Sequence, residues 1–122
     1  MALVKTIYEF EVFKMAYALA IEVRPMVKDF LKYEQFGGVA DQMRRASTGI
    51  CANLAEGFGK NQSKAEFRRF VMMALGSANE MELWLRFACD FEYLDPSIAN
   101  DFINRYARIS KMLQGLGQSL ES

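Results

Sequence analysis

The residues best suited to chemistry fall in one stretch of this chain, Asp41 to Glu82. Four polar residues there, Asn53, Glu56, Ser77 and Glu80, lie on or beside apolar positions that recur with helical spacing. Two carboxylates and an amide enclosed in a pocket are the raw material of general acid and base catalysis. They equally suit a hydrogen-bonded network that fixes how helices pair, because buried polar groups need partners. Neither a nucleophile and base pair nor a cluster of metal-ligand residues accompanies them, so the structural reading is the stronger.

A second candidate is the run Gly57-Phe58-Gly59-Lys60-Asn61-Gln62-Ser63-Lys64, glycine-bearing, basic and leading into a helix start, all features that attract phosphate. It is not a P-loop. Its glycines have the wrong spacing, and neither a following lysine-serine or lysine-threonine pair nor a preceding strand is present. A helix C-cap followed by an N-cap explains it more simply. With Arg68 and Arg69, Lys60 and Lys64 form a basic tip that offers a contact for RNA or DNA, extended by Arg44 and Arg45 if those are exposed.

Composition narrows the chemistry. Histidine is absent, which removes the commonest general base and the commonest zinc ligand. The expectation is a protein without catalytic residues, metal or cofactor. Fifteen basic and fifteen acidic residues cancel, so a nucleic-acid contact must rest on a local patch. Gly38 to Arg69 carries six basic residues against three acidic; from Phe70 onward four basic face seven acidic. That asymmetry suits head-to-tail self-association as well as a polyanion. Cys51 and Cys89 are far apart in helix-like patterns with no secretory leader before them, so reduced thiols in a cytoplasmic protein are expected. The apolar stretch around Met15 to Ile21 is interrupted by Lys14 and Glu22, so no membrane span is expected.

The elements that must position these residues are all helical. Ile7 to Leu31 shows one apolar face through Phe10, Phe13, Tyr17, Ala20 and Ile21, and a second strip through Val12, Met15 and Leu19. Together they are wider than a monomeric surface helix needs, which implies deep packing or a subunit interface. Pro25 predicts a kink or restart near Val23 to Met26, and Gly37-Gly38 a turn. The second helix runs from about Val39 to Glu56, turning Met43, Ala46, Ile50 and Leu54 inward, with Ser47, Gly49, Ala52 and Ala55 allowing close approach; Gly57 and Gly59 end it.

Ser63 and Glu66 stand at capping-box spacing at the head of a third helix. Its core stripe is Phe67, Phe70, Val71, Ala74, Ala78, Met81, Leu85 and Ala88, with a second strip of Met73, Gly76, Leu83 and Phe87. Asp95-Pro96 opens a fourth helix carrying Ile98, Phe102, Tyr106, Ile109, Leu113, Leu116 and Leu120 inward. Trp84 and the ten phenylalanines lie mostly on these stripes and read as core rather than as a stacking platform.

Short links make sequential helices antiparallel neighbours. Residues 1–122 therefore read as one all-α domain, an antiparallel up-down-up-down four-helix bundle. Pairing the second and third helices about their turn puts Glu56 level with Phe67 and Ser47 level with Gly76, a close small-on-small approach. The same register brings Arg44 or Arg45 to Glu80, and Glu56 to Lys60, Arg68 or Arg69.

Three pieces, Asp41-Gln42-Met43-Arg44-Arg45-Ala46-Ser47, Asn53-Leu54-Ala55-Glu56-Gly57-Phe58-Gly59, and Phe70 leading into Ala74-Leu75-Gly76-Ser77 and Glu80, resemble the family of 23S ribosomal RNA intervening-sequence proteins, or S23 proteins. The likeness spans nearly the whole chain. It implies a four-helix protomer and a ring-like homo-oligomer, a pentamer. It extends to the accessory variability proteins of diversity-generating retroelements, similar bundles that assist a reverse transcriptase and bind nucleic acid through a basic surface, from which this chain departs in its balanced charge. The expectation is a non-enzymatic, oligomeric helical scaffold or protein-interaction module whose partners are copies of itself or another protein; the alternative is a nucleic-acid-binding accessory protein that contacts RNA or DNA through the basic tip.

Overall fold

A computed structural model describes residues 6–121, and every regular element in it is helical. A short 3-10 turn, Ile7–Glu9, leads into α1, Glu11–Val27; a second, Lys32–Gln35, leads into α2, Val39–Phe58. Then come α3, Lys64–Asp90, and α4, Pro96–Ser119. Residues 1–5 and 122 lie outside the described part.

Helix ends follow local chemistry. Ser63 is the N-cap of α3, its hydroxyl accepting the Glu66 backbone N–H at 3.2 Å. The reciprocal half of the expected box gives way to an ion pair, since the Glu66 carboxylate meets Arg69 at 3.1 Å instead. At the other end of α3, the Tyr93 N–H reaches the Ala88 carbonyl and the Glu92 N–H the Cys89 carbonyl, both at 2.9 Å. This is the Schellman closure, with Glu92 at φ 67° where glycine is the usual residue. Pro96 takes the first turn of α4, where its missing N–H costs nothing.

Contacts along the links fix the topology. Phe10 at the start of α1 meets Phe58 at the end of α2 (centroids 5.5 Å apart), while Arg24 and Arg44 line one cleft at the opposite end. Gly49 faces Ser77 and Gly57 faces Phe67 and Phe70, so α2 and α3 are antiparallel. Arg68 bonds to the Gly117 carbonyl and the Ser110 hydroxyl donates to Asn79 Oδ1, so α3 and α4 are antiparallel too. Arg105 of α4 reaches Glu22 of α1 at 2.7 Å and closes the bundle. The result is an up-down-up-down four-helix bundle.

The core takes Met43, Ala46, Ile50 and Leu54 from α2, all eight expected stripe residues of α3, and Phe102, Tyr106, Ile109 and Leu113 from α4. Ile98 is exposed rather than inward, because the first turn of α4 presents its neighbour Ala99 to the core instead. On α1 the core face draws on both expected strips. Val12, Phe13, Ala16, Leu19, Val23 and Val27 face the core, while Tyr17 and Ile21 are exposed. The helix turns a mostly aliphatic face inward and leaves a tyrosine and an isoleucine outside. It also passes through Pro25 to Val27 without a restart, since the proline falls in the last turn.

Tyr106 is fully buried, its hydroxyl has no hydrogen-bond partner among the described residues, and burial raises its phenol pKa well above the ordinary value. Removing an unpaired buried hydroxyl while keeping the ring relieves a desolvation cost. Tyr106→Phe is therefore expected to raise the unfolding free energy by about 1 kcal/mol, read from urea denaturation at fixed protein concentration.

Candidate functional site

The four polar residues considered for acid and base work do not converge. Glu56 and Glu80 are exposed, Ser77 is half-buried, and Asn53 Nδ2 donates to the Gly49 carbonyl of its own helix at 3.0 Å. Neither a catalytic pocket nor the expected register network forms from them. Each carboxylate stands two residues, about 200° of helix rotation, from a fully buried stripe residue, Glu56 from Leu54 and Glu80 from Ala78, and so turns away from the core. The pairing of α2 with α3 also differs from the expected register by up to about one turn. Phe58 wedges between Phe10 and Phe67, centroids 5.5 and 5.8 Å away, and this edge-to-face cluster sets the level at which the helices meet. Gly49 therefore faces Ser77, whose Oγ is 3.4 Å from where a glycine-to-alanine Cβ would stand. Gly76 points to open space and makes no close approach; Ser47 is buried, its hydroxyl donating to the Arg44 carbonyl at 3.1 Å.

Gly57 has a use that sequence reasoning missed. It stands in the last turn of α2, just before the Gly59 C-cap, and a Cβ there would come within 2.6 Å of Phe70 Cβ and 3.3 Å of the Phe67 carbonyl oxygen. It is the tightest point of the hairpin, and only glycine fits it.

The basic tip is partly neutralised. Arg68 donates to the Gly117 carbonyl and to Glu121, both at 3.2 Å, tying α3 to the end of α4. Arg69 pairs with Glu66 at 3.1 Å and lies 4.6 Å from the centroid of the Phe70 ring. The Arg69 guanidinium holds the Glu66 carboxyl below its ordinary value. Lys60 Nζ lies 4.9 Å from the centroid of the same ring, and Lys64 is exposed. Glu56 makes no ion pair with any of them among the described residues.

Arg44 and Arg45 are not part of this tip. They stand near the start of α2, about 24 Å along the helix from Lys60 at 1.5 Å per residue. Nor do they meet Glu80. Arg44 donates from both terminal nitrogens to Gln35, to its side-chain Oε1 and its backbone oxygen, each at 2.6 Å. Gln35 in turn donates its amide to the Val27 carbonyl at 2.9 Å and the Phe30 carbonyl at 3.0 Å, satisfying the open end of α1. Asp41 completes the chain. It accepts the Gly37 N–H at 2.8 Å and pairs with Arg45 at 3.2 Å and Arg44 at 3.5 Å. Those contacts, the Gly37 N–H first, hold its carboxyl below the ordinary value of 3.8.

A parallel device was not foreseen. Glu34 is only 6% exposed; its carboxylate accepts the Val39 N–H at 3.1 Å and the Tyr93 hydroxyl at 2.9 Å. It thus caps α2 in place of Gly38, which has no side chain to do so, and a Cβ on Gly38 would collide with Glu34 itself. Tyr93 stacks on Phe30 at 4.4 Å, and its neighbours Tyr33 and Glu34 push its phenol pKa up. The one available signal was a glutamate four residues before a glycine N-cap, which alone says little. Of the two cysteines, burial pushes the Cys51 thiol up to about 11, so it stays protonated at neutral pH and is a poor nucleophile.

These helices and their glycine contact account for the pieces from which the resemblance was read, and comparison with known proteins agrees. The sequence profile described as 23S rRNA-intervening sequence protein matches residues 8–115. The chain belongs to that family. A solved structure from Bacteroides thetaiotaomicron, described as a protein of unknown function from the S23 ribosomal protein family, superposes with a TM-score of 0.78 at 26% identity. The match covers 88% of this chain and 95% of that one. No curated protein matches. No helix among the described residues is long and apolar enough to cross a membrane.

Proposed function

We propose that this intervening-sequence family member is a non-catalytic scaffold subunit that assembles into a cytoplasmic ring of identical copies, a pentamer. The observation that carries the reading is the outward strip of α3. Met73 is 46% exposed, Leu83 48%, Phe87 39% and, just past the helix end, Phe91 51%. Leu83, Phe87 and Phe91 follow one another at one-turn spacing, with Met73 further back on the helix, and large apolar groups exposed in such a row mark a surface meant to be covered. Tyr17 and Ile21 give α1 a second such patch. The cytoplasmic placement rests on the two free cysteines.

RNA or DNA binding at the tip is the lesser reading, because Arg68 and Arg69 are already paired. Size-exclusion chromatography with light scattering tests the scaffold. The wild-type chain is expected at several times its 13.9 kDa mass, and Leu83→Glu with Phe87→Glu is expected to yield a folded monomer. A wild-type monomer at micromolar concentration sinks the proposal.

A further inference from the structure

A cleft of about 570 Å³ opens between the last turn of α1 and the early turns of α2. It is lined by Arg24, Pro25, Lys28, Gln35 and Arg44: three cations, an amide and no carboxylate. Arg24 and Lys28 stand one turn apart on α1, a spacing at which like charges repel. The ordinary reason for cations at a helix C-terminus is to meet its free carbonyls. Here the Gln35 amide already serves the carbonyls of Val27 and Phe30. Arg24 and Lys28 are exposed and enter no ion pair among the described residues. At the wall of the cleft, the two 2.6 Å bonds to Gln35 hold the Arg44 guanidinium in place. Its planar fork has five N–H donors, more than those two bonds use. Asp41, 3.5 Å from Arg44, is shared with Arg45 and offsets only part of the charge.

We propose that this cleft binds the phosphate group of a small phosphomonoester. Arg44 supplies a fixed fork for the phosphate oxygens, and Arg24 and Lys28 close on it from α1. A bare phosphate leaves most of the volume empty. The rest of the ligand lies along Pro25 and the aliphatic stems of Arg24 and Lys28. A nucleic-acid strand fits less well, because it needs a continuous basic track. The next turn of α2 offers Arg45, paired with Asp41, and the basic tip is about 24 Å away.

Calorimetric titration with inorganic phosphate, a nucleoside 5′-monophosphate and the matching nucleoside tests this on the full chain. The monophosphate is expected to bind saturably and the nucleoside not to bind. Arg24→Gln with Lys28→Gln is expected to weaken the monophosphate about tenfold or more, about 1.4 kcal/mol per factor of ten. Both side chains are exposed, and circular dichroism checks that this variant keeps its fold. Lys60→Gln with Lys64→Gln, at the far end of α2, is expected to leave binding unchanged. Equal affinity for inorganic phosphate and monophosphate supports the phosphate subsite and assigns it to the free ion. Absence of saturable binding by either phosphate, or wild-type affinity in the Arg24 and Lys28 variant, overturns the proposal. So does a single-stranded RNA that competes at the cleft more tightly than the monophosphate.

Discussion

Gly57→Ala is expected to lower the unfolding free energy by about 1–3 kcal/mol, and Gly57→Val by more. The added Cβ would stand 2.6 Å from Phe70 Cβ, an atom fixed to the backbone of α3 that no rotamer change can move away. The Phe67 side chain and carbonyl, both 3.3 Å away, block sideways relief. Helices α2 and α3 must therefore separate, which opens gaps along a stripe that includes Leu54, Val71 and Ala74, all fully buried. Gly76→Ala is the matched control. It adds the same methyl in the middle of α3 where nothing lies within 4 Å, and it is expected to stabilise by about 0.5–1 kcal/mol through the lower backbone entropy of the unfolded chain. Urea midpoints at one protein concentration give both signs. Equal stability of Gly57→Ala and wild type is incompatible with the close approach.

This glycine shows where the sequence is legible and where it is not. The core stripes of α2 and α3 are readable because burial against neighbours on both sides enforces a 3.6-residue period, and Met43 to Leu54 and Phe67 to Ala88 follow it. On α1 the period fits either of two adjacent apolar strips. Hydrophobicity alone does not say which one meets α2, and Tyr17 and Ile21 are on the outside. A glycine near the end of a helical pattern has two physical uses, to stop the helix or to admit a neighbour, and they look alike in one dimension. At Gly59 the first applies, as the C-cap; at Gly57 the second does.

The candidate site was less legible for a related reason. Glu56 and Glu80 each stand beside a buried residue, Gly57 and Met81, so a stripe read slightly too wide takes them in, whereas the packed face leaves both in solvent. The basic tip was visible as a cluster, but its partners were not. Arg68 meets Glu121, 53 residues away, and only the closure of α4 on α3 brings them together. The cleft between α1 and α2 needs the same kind of information. Arg24 and Lys28 are 20 and 16 residues from Arg44 in sequence, and the antiparallel pairing of the two helices makes them neighbours.

Arg44→Met is expected to cost about 2–3 kcal/mol of folding stability, far more than an exposed arginine contributes. Methionine keeps the apolar stem but removes two charge-assisted bonds to Gln35, one of them to a backbone oxygen. Gln35 then loses the hold that aims its amide at the Val27 and Phe30 carbonyls, and the end of α1 loosens. Because the two residues act in one chain, the losses in Arg44→Met and Gln35→Ala should not add. A double-mutant cycle is expected to show coupling of about 1 kcal/mol or more, and additive losses would break the argument. Arg44→Lys should restore less than half, since an ammonium cannot present two parallel donors to Gln35. Asp41 gives the device a pH signature. Its folded-state pKa is lowered, so its contribution is complete above the ordinary value of 3.8 and is lost as pH falls through the folded value. Asp41→Asn is therefore expected to flatten the acid limb of the stability curve while leaving the slope above pH 5 unchanged, a difference readable from urea midpoints taken across about pH 2 to 7.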